Sequence, residues 1–287
     1  DPWASTISDC LTSCIVLFKN ILLPLKSFLR VFKFDLGWIA IITFKPVFDS
    51  KNDNIFLENE FKQKLNLLKT NGYLDLGKII SDDLCNKISA KIDDEISNKN
   101  HIDVKDAKIY LIKYFHNLEE LLNQINNENV MKIINLYFAR SVFISDLDIR
   151  RVLPANLNNI KNSSSLWHKD SRGRQLKLMI YFKDVGVNDS CFSFIPKTHK
   201  KRAYGLEETR MKIDETKSEY KIKNWIAKKG NAMLFDTNLI HILRRKGSGN
   251  YRDSLTIYYT PGHYKRKIYL KNKNNLNNKI KKIMLLD

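Results

Sequence analysis

A succession of short apolar segments separated by turn residues, beginning near residue 138, constrains the fold more than any other feature. The candidate strands are residues 145–153, 176–182, 191–195, 232–235 and 255–260. Turn residues lie between and after them, at Gly186, Pro196, Gly230, Gly247-Ser248-Gly249 and Pro261-Gly262. Many short strands with turns of this kind favour a closed barrel or two facing antiparallel sheets. We therefore predict a mostly β core over residues 138–264.

The preceding part of the chain, residues 51–137, has a helical pattern. Apolar residues recur near a period of 3.6 residues, at Phe56, Phe61, Leu65 and Leu68. The run 81–96 opens with Ser81, a residue type that caps helices, and a further helix is predicted over residues 107–125. Asn71-Gly72-Tyr73 indicates a turn into a short strand. The expected class is α+β, with helices flanking a β core.

Two segments flank this domain, residues 1–50 and residues 265–287. The first contains the most apolar stretch, residues 9–48, but charged residues and a proline interrupt it. Its uninterrupted runs are shorter than the roughly 20 residues that a bilayer crossing needs, and it lacks the basic start of a signal peptide. Helices that lie in a membrane interface and helices that pack on the rest of the protein both stay open. The basic tail, residues 265–287, is expected to be a terminal helix or a loose end.

The chain is strongly basic, with 49 lysines and arginines against 31 acidic residues and a formal charge of +18. Such a charge attracts nucleic acid, an acidic membrane, or a small phosphorylated or carboxylated substrate. Basic segments lack the interleaved aromatic residues of a single-strand platform, which disfavours nucleic acid as a partner. A general abundance of lysine, asparagine and isoleucine explains the charge equally well.

The cysteines indicate a reducing compartment. They form no C-x-x-C pair and no regular framework, and they stand at Cys10, Cys14, Cys85 and Cys191. We therefore expect a cytoplasmic protein. Peripheral contact with the inner face of a membrane is the alternative that residues 9–48 leave open.

One H-x-D pair, His168 and Asp170, is a candidate metal site. Residues two apart on an extended segment point to the same side, so both side chains can reach one ion. A second H-x-D pair, His101 and Asp103, lies in a polar segment before a predicted helix, and we interpret it as solvated surface. An H-x-D pair alone is therefore weak evidence.

The downstream half of the chain strengthens the assignment to His168 and Asp170. Residues 230–236 predict a turn and a buried strand, after which the chain reaches His241. Two histidines and one carboxylate on one face of an octahedral Fe(II) leave three adjacent positions free. Two of these positions can take the 2-oxo acid end of 2-oxoglutarate, and the third can take O2.

The distal carboxylate of 2-oxoglutarate needs a buried cation, and Arg252 is the candidate. It follows the turn at residues 247–250, at the start of the next strand, and an arginine fork matches a carboxylate. Ser254, two residues further on the same strand face, can add a hydroxyl donor. Arg244 and Arg245 are nearby alternatives to Arg252.

The substrate is less constrained than the metal site. A set of arginines brackets the H-x-D pair, at Arg150, Arg151, Arg172 and Arg174. An anionic group at the pocket mouth and a merely solvated rim both explain them. An anionic lipid or lipid-linked sugar and a soluble metabolite are both compatible with the chain.

Several segments together resemble a known family. They are Asn71-Gly72-Tyr73-Leu74-Asp75-Leu76, Trp167-His168-Lys169-Asp170, the strand 178–182 with Lys183-Asp184-Val185, Ile195-Pro196-Lys197-Thr198-His199-Lys200, and the segment from Gly230 through His241 to Arg252. Over about two thirds of its length the chain resembles the phytanoyl-CoA dioxygenase family. The resemblance implies a double-stranded β-helix, a cupin-like jelly roll with helices outside. It also implies Fe(II) with 2-oxoglutarate, and hydroxylation of a small molecule.

The chain departs from that family at one turn. The family commonly has Pro-Gly-Ser-His where this chain has Pro196-Lys197-Thr198-His199, so we expect His199 to be a structural turn residue and not a ligand. Related halogenases replace the metal carboxylate by a small residue. Asp170 is retained here, which favours hydroxylation over halogenation.

These observations predict a dioxygenase that hydroxylates an unactivated C–H bond of a small anionic molecule, or of a lipid- or sugar-linked substrate. 2-Oxoglutarate and O2 would become succinate and CO2. The alternative from another class is a non-catalytic module that binds a membrane or nucleic acid on a jelly-roll shell. A cupin-like isomerase is disfavoured, because it would not require Arg252 together with Ser254.

Overall fold

Helices and short strands alternate along the part of the chain that the structure describes. The computed structural model describes residues 59–104, 108–112, 118–125, 128–139, 142–155, 166–170, 175–200, 210–211, 213–215, 219–244 and 249–261. The predictions for residues 1–50 and 265–287 lie outside the described residues. Within the described part, no helix combines the length and apolar character needed to cross a membrane.

The elements follow one another in an order that places helices early and strands late. The helices are α1 (Asn59–Asn71), α2 (Asp82–Ser97), α3 (Leu118–Ile125) and α4 (Glu128–Phe138), and a 3₁₀ turn covers Thr198–Lys200. The strands are β1 (Tyr73–Lys78), β2 (His101–Val104), β3 (Ile109–Ile112), β4 (Val142–Val152), β5 (Trp167–His168), β6 (Leu176–Tyr181), β7 (Phe192–Ile195), β8 (Arg210–Met211), β9 (Lys223–Trp225), β10 (Asn231–Asp236), β11 (Ile240–Leu243) and β12 (Arg252–Pro261).

These strands form two antiparallel sheets among the described residues. The larger sheet has the order β1-β10-β6-β12-β4-β3-β2, and the smaller has the order β8-β5-β11-β7-β9. Strands that are neighbours in space are mostly distant in sequence, which is typical of a jelly roll. The prediction of a mostly β, antiparallel core with flanking helices is confirmed.

Alternating side chains of the larger sheet serve two different cores. On β6, Leu178 and Ile180 pack with the helices, whereas Met179 and Tyr181 pack with aromatic residues of the smaller sheet. Ser254 of β12 is the cross-strand partner of Tyr181 and therefore shares its face. Residues two apart from Ser254 on β12 likewise face the smaller sheet. This inner face is where polar side chains can meet a ligand.

The start of α2 shows why the sequence forms a helix there. The hydroxyl of Ser81 accepts a hydrogen bond from the backbone N–H of Leu84 at 3.3 Å. Asp82 and Asp83 occupy the first turn, where the helix dipole favours negative charge. The helix predicted over residues 81–96 is therefore confirmed within one residue at each end.

The helix predicted over residues 107–125 is wrong in its first half. Ile109–Ile112 forms β3, which pairs with β2 on one side and β4 on the other. Among the described residues of this range, only Leu118–Ile125 is helical. The sequence Ile-Tyr-Leu-Ile is rich in β-branched and aromatic side chains, and pairing on both edges outweighs its helical spacing.

Candidate metal centre

Strand pairing brings the predicted metal ligands together. His168 on β5 and His241 on β11 are direct cross-strand partners, and their ring centroids lie 4.4 Å apart. The backbone N–H of Asp170 donates to the carbonyl of Thr237 at 2.9 Å, which ties the segment after β5 to the turn before β11. Because Asp170 lies two residues after His168, its side chain points toward the same space.

The three side chains converge on one point. The Nε2 atom of His168 lies 3.2 Å from Oδ1 of Asp170, and Nε2 of His241 lies 3.4 Å from Oδ2 of the same carboxylate. All three ligand atoms fall within 4.8 Å of one another, and no other such group of histidine, cysteine and acidic residues occurs in the described part of the chain. These residues could hold a metal ion.

Backbone carbonyls orient both imidazoles. Nδ1 of His168 donates to the carbonyl of Leu166, and Nδ1 of His241 donates to the carbonyl of Leu239, each at 2.7 Å. A proton on Nδ1 leaves the lone pair of Nε2 directed at the shared site, as a metal ligand requires. The sequence did not identify these acceptors, although each stands two residues before its histidine.

The electrostatics favour the ligand forms of these groups. Burial alone would raise the pKa of the Asp170 carboxyl, but the Lys177 ammonium and the two histidines hold this pKa well below its ordinary value. Burial lowers the pKa of His241. An ionised carboxylate and a neutral imidazole are the forms that bind metals. Lys177, whose Nζ atom donates to Oδ2 of Asp170, was not identified from the sequence.

Arg252 is a buried cation without an acidic partner among the described residues. Its side chain is 1% exposed, and its Nη1 atom donates to the carbonyl of Ser190 at 2.8 Å. Its Nε atom and the hydroxyl of fully buried Ser254 have no hydrogen-bond partner in the described part. Burial lowers the pKa of Arg252. A buried cation with unused donors fits an anionic ligand, because charges are rarely buried unpaired.

Arg252 lies close to the metal ligands along the fold. Leu243, two residues after His241 on β11, packs against Val152 in a small apolar cluster. Val152 is the cross-strand partner of Arg252. The path from His241 to Arg252 therefore runs two residues along β11 to Leu243, a distance of about 7 Å. It then crosses from the smaller sheet to the larger sheet, where Arg252 lies.

Other arginines have partners elsewhere. Arg151 points away from the site and pairs with Asp253 and Asp93, each at 2.7 Å. It therefore does not support an anion-binding pocket mouth. Arg244 donates to Glu215 at 2.7 Å. Arg150 lies on the inner face and pairs with Asp148, while Arg172, Arg174 and Arg245 lie outside the described residues.

His199 and the second H-x-D pair lie outside the metal centre. His199 is buried, and its Nε2 atom contacts the carbonyl of Lys69 at 3.1 Å. Gly72, at φ +82°, leaves room for this ring, because a Cβ atom there would lie 2.5 Å from Nδ1 of His199. His101 and Asp103 stand on β2 at the edge of the larger sheet, with Asp103 exposed.

Comparison with known proteins supports the resemblance. Residues 155–252 match the family model of phytanoyl-CoA dioxygenase (PhyH), a span that contains His168, Asp170 and His241 and ends at Arg252. No curated protein matches the chain. The resemblance predicted from the motifs is confirmed over this span.

Several solved structures share the fold. HygX from Streptomyces hygroscopicus, with nickel, 2-oxoglutarate and hygromycin B bound, is 14% identical with a TM-score of 0.53, over 71% of this chain and 88% of that chain. The epimerase SnoN, in complex with Fe3+, alpha-ketoglutarate and nogalamycin RO, is 12% identical with a TM-score of 0.52, over 70% and 83%. The alpha-ketoglutarate-dependent carbocyclase SnoK is 12% identical with a TM-score of 0.51, over 69% and 83%. The predicted jelly-roll fold is confirmed.

Proposed function

We propose that this chain, a PhyH-like 2-oxoglutarate-dependent dioxygenase, hydroxylates an unactivated C–H bond of a small molecule. One observation carries the proposal. Two histidines and a carboxylate converge within 4.8 Å, and the inner surface that holds them also holds Arg252, which is buried and has no acidic partner among the described residues. Their coexistence fits a metal ion and a dicarboxylic acid bound side by side.

His168, Asp170 and His241 are the proposed ligands of Fe(II). When bound there, Fe(II), 2-oxoglutarate and O2 supply the oxidant for the C–H bond, and 2-oxoglutarate becomes succinate and CO2. The chain holds the imidazoles in the ligating tautomer through the carbonyls of Leu166 and Leu239. Three protein ligands would leave a bound Fe(II) able to take 2-oxoglutarate and O2 as further ligands.

Arg252 is the proposed partner of the distal carboxylate of 2-oxoglutarate. Its free Nε atom and the unused hydroxyl of Ser254 offer donors from one strand face. The rings of Phe192 and Phe235 pack beside His241, at centroid distances of 5.3 and 5.6 Å. These apolar walls exclude water from the side of the site that they cover, which strengthens charge interactions within it.

The proposed substrate is a small organic molecule. HygX binds hygromycin B in its crystal structure, and SnoN binds nogalamycin RO, so this fold accommodates small organic molecules in those proteins. SnoN is an epimerase and SnoK a carbocyclase, which means that the fold serves several oxidative outcomes. The retained Asp170 supports hydroxylation over halogenation. The charge of +18 supports an anionic, lipid-linked or sugar-linked substrate and peripheral membrane contact. The free cysteines Cys85 and Cys191 support a cytoplasmic location.

An anaerobic titration tests the proposal. Fe(II) and 2-oxoglutarate together should give the weak visible charge-transfer band of iron chelated by a 2-oxo acid. H168A and D170A should abolish this band and the formation of succinate. R244Q, which changes a partly buried arginine paired with Glu215 and hydrogen-bonded to Ser193, should retain both. A wild-type protein without the band would instead favour the non-catalytic anion-binding module.

A further inference from the structure

A lysine lies inside the proposed metal centre. Lys177 is at the inner face of β6, and its side chain is only 11% exposed. Its ammonium donates to Oδ2 of Asp170, the same oxygen that lies 3.4 Å from Nε2 of His241. A positive charge therefore occupies the immediate surroundings of the point where a metal ion would bind.

The neighbourhood of Lys177 leaves Asp170 as its acidic partner. The ammonium lies 4.5 Å from the ring centroid of Tyr258, its cross-strand neighbour on β12. The hydroxyl of Tyr258 donates to Asp148 at 2.6 Å, and Arg150 pairs with the same carboxylate. Asp148 is thus engaged by two other groups. Asp170 is the carboxylate within ion-pair distance of Lys177 in the described part of the chain.

A bound metal ion would change the charge balance of this cavity. The ion, Lys177 and Arg252 would be three cationic groups with the single carboxylate of Asp170 among them. Arg252 has no acidic partner among the described residues, so it does not reduce the excess. Like charges a few ångströms apart in a partly dry site repel strongly. A ligand with two negative charges would remove most of this repulsion.

We propose that Lys177 makes metal binding depend on the co-substrate. Its ammonium competes with a divalent ion for Asp170 and repels that ion, and the two carboxylates of 2-oxoglutarate offset the repulsion. The proposal rests on the proposed function, because it takes His168, Asp170 and His241 as metal ligands. By linkage, the ion must tighten 2-oxoglutarate binding by the same factor as 2-oxoglutarate tightens ion binding.

A purely supporting role for Lys177 makes the opposite prediction. A group that only orients a metal ligand strengthens metal binding, and its loss weakens affinity by about 10- to 100-fold. Even with a dielectric constant as high as that of water, repulsion between a unit charge and a divalent ion at this range corresponds to about tenfold or more in the other direction. The direction of the change in metal affinity therefore distinguishes the two roles.

Titration of the full chain with Mn(II), with and without 2-oxoglutarate, provides the test. Mn(II) binds carboxylate and imidazole ligands and does not turn over. We expect K177M to bind Mn(II) alone about tenfold more tightly than the wild type, and to lose a similar factor from the tightening that 2-oxoglutarate produces. K177R keeps the charge and should behave like the wild type. K223M is the matched control, because Lys223 donates to the Tyr73 hydroxyl and lies over that ring.

The outcomes separate this inference from the proposed function. If the wild type binds no Mn(II), the proposed function is wrong. A wild type that binds Mn(II), together with a K177M that binds it equally or more weakly, overturns only the role of Lys177. If K177M shows no cooperative thermal transition, K177Q replaces it, since an amide keeps a donor for Asp170 and removes the charge. K177Q should then also bind Mn(II) more tightly.

Discussion

Arg252 is a side chain whose burial is unfavourable until a ligand arrives. Its guanidinium is 1% exposed and has one backbone acceptor, the carbonyl of Ser190. We expect R252M to weaken 2-oxoglutarate binding to the Mn(II)-loaded protein by about 100-fold or more, because two charge-assisted hydrogen bonds are lost. Isothermal titration calorimetry measures this change.

The same substitution should raise the stability of the ligand-free protein. Removing an unpaired buried charge relieves its desolvation penalty, so R252M should melt at a higher temperature than the wild type without ligand. R244Q should change neither property. A variant R252M that bound 2-oxoglutarate normally would exclude Arg252 as the co-substrate anchor.

Two adjacent tyrosines on opposite faces of β12 give a matched pair of stability predictions. The hydroxyl of Tyr259 is buried without a partner among the described residues, and burial raises its pKa. Y259F should therefore stabilise the fold by about 1 kcal/mol, because it removes an unsatisfied polar atom. Tyr258 bonds to Asp148 and Arg150, so Y258F should destabilise the fold by about 1–2 kcal/mol.

Urea unfolding of both variants measures these free energies. Equal effects of the two substitutions would contradict the difference in hydrogen bonding between the two faces. Neither change alters the apolar contacts of the ring, so the comparison isolates the hydroxyl group.

At the scale of single residues, the sequence predicted the side chains that suit the proposed chemistry. It missed the groups that hold those side chains in place. His168, Asp170, His241 and Arg252 were singled out because each side-chain type suits a metal or a carboxylate, and the structure brings the first three together. Lys177 was not found, because a lysine in a chain with 49 basic residues carries no distinguishing pattern. The carbonyl acceptors of the imidazoles were missed because backbone groups are invisible in side-chain motifs.

Among the elements, the turn after β7 depends on a neutral histidine. His199 is buried, its Nε2 atom contacts the Lys69 carbonyl, and its Nδ1 atom lies close above Gly72 without a partner. Burial lowers the pKa of His199 below its ordinary value of 6.5. The unfolded chain then binds this proton more readily than the folded protein does.

The contribution of neutral His199 to the free energy of unfolding should therefore be fully present above about pH 6.5. It should decrease as the pH falls below that value. The H199Q variant has no titrating ring and should show a flatter decline between pH 7 and pH 5. Thermal melts at several pH values measure the difference. Parallel curves for wild type and variant would show that the pKa of His199 is the same in the folded and the unfolded protein.

The sequence predicted elements well where local pattern and tertiary pairing agree. The strand at residues 232–235 has continuous apolar residues after a glycine turn, and it is found as Asn231–Asp236. The helix predicted over residues 107–125 was wrong in its first half because Ile109–Ile112 becomes a strand through pairing with β2 and β4. The strand β5 was missing from the predicted strands because two residues have no periodicity, although His168 and Asp170 were expected to lie on an extended segment.

At the scale of the whole molecule, the described part of the chain should unfold cooperatively and gain stability when its ligands bind. At concentrations about 100 times their dissociation constants, a ligand stabilises the folded state by about 2.7 kcal/mol. For a domain of this size that corresponds to a rise in Tm of about 5–10 °C. We expect Mn(II) with 2-oxoglutarate to produce such a rise, measured by differential scanning calorimetry.

The D170A variant is the control for this shift. It should show no rise with Mn(II) and 2-oxoglutarate together, because the ion loses its carboxylate ligand. A rise of equal size in D170A would mean that the ligands bind elsewhere on this basic protein.

His168 and His241 face each other across a single step of a β ladder. The gap between their rings is therefore set by the spacing of hydrogen-bonded strands and not by the length of chain that joins them. Connections between those strands can be lengthened, exchanged or even cut without moving either nitrogen, provided that the ladder still forms. The placement of the two imidazoles is in this sense independent of the loops that join their strands.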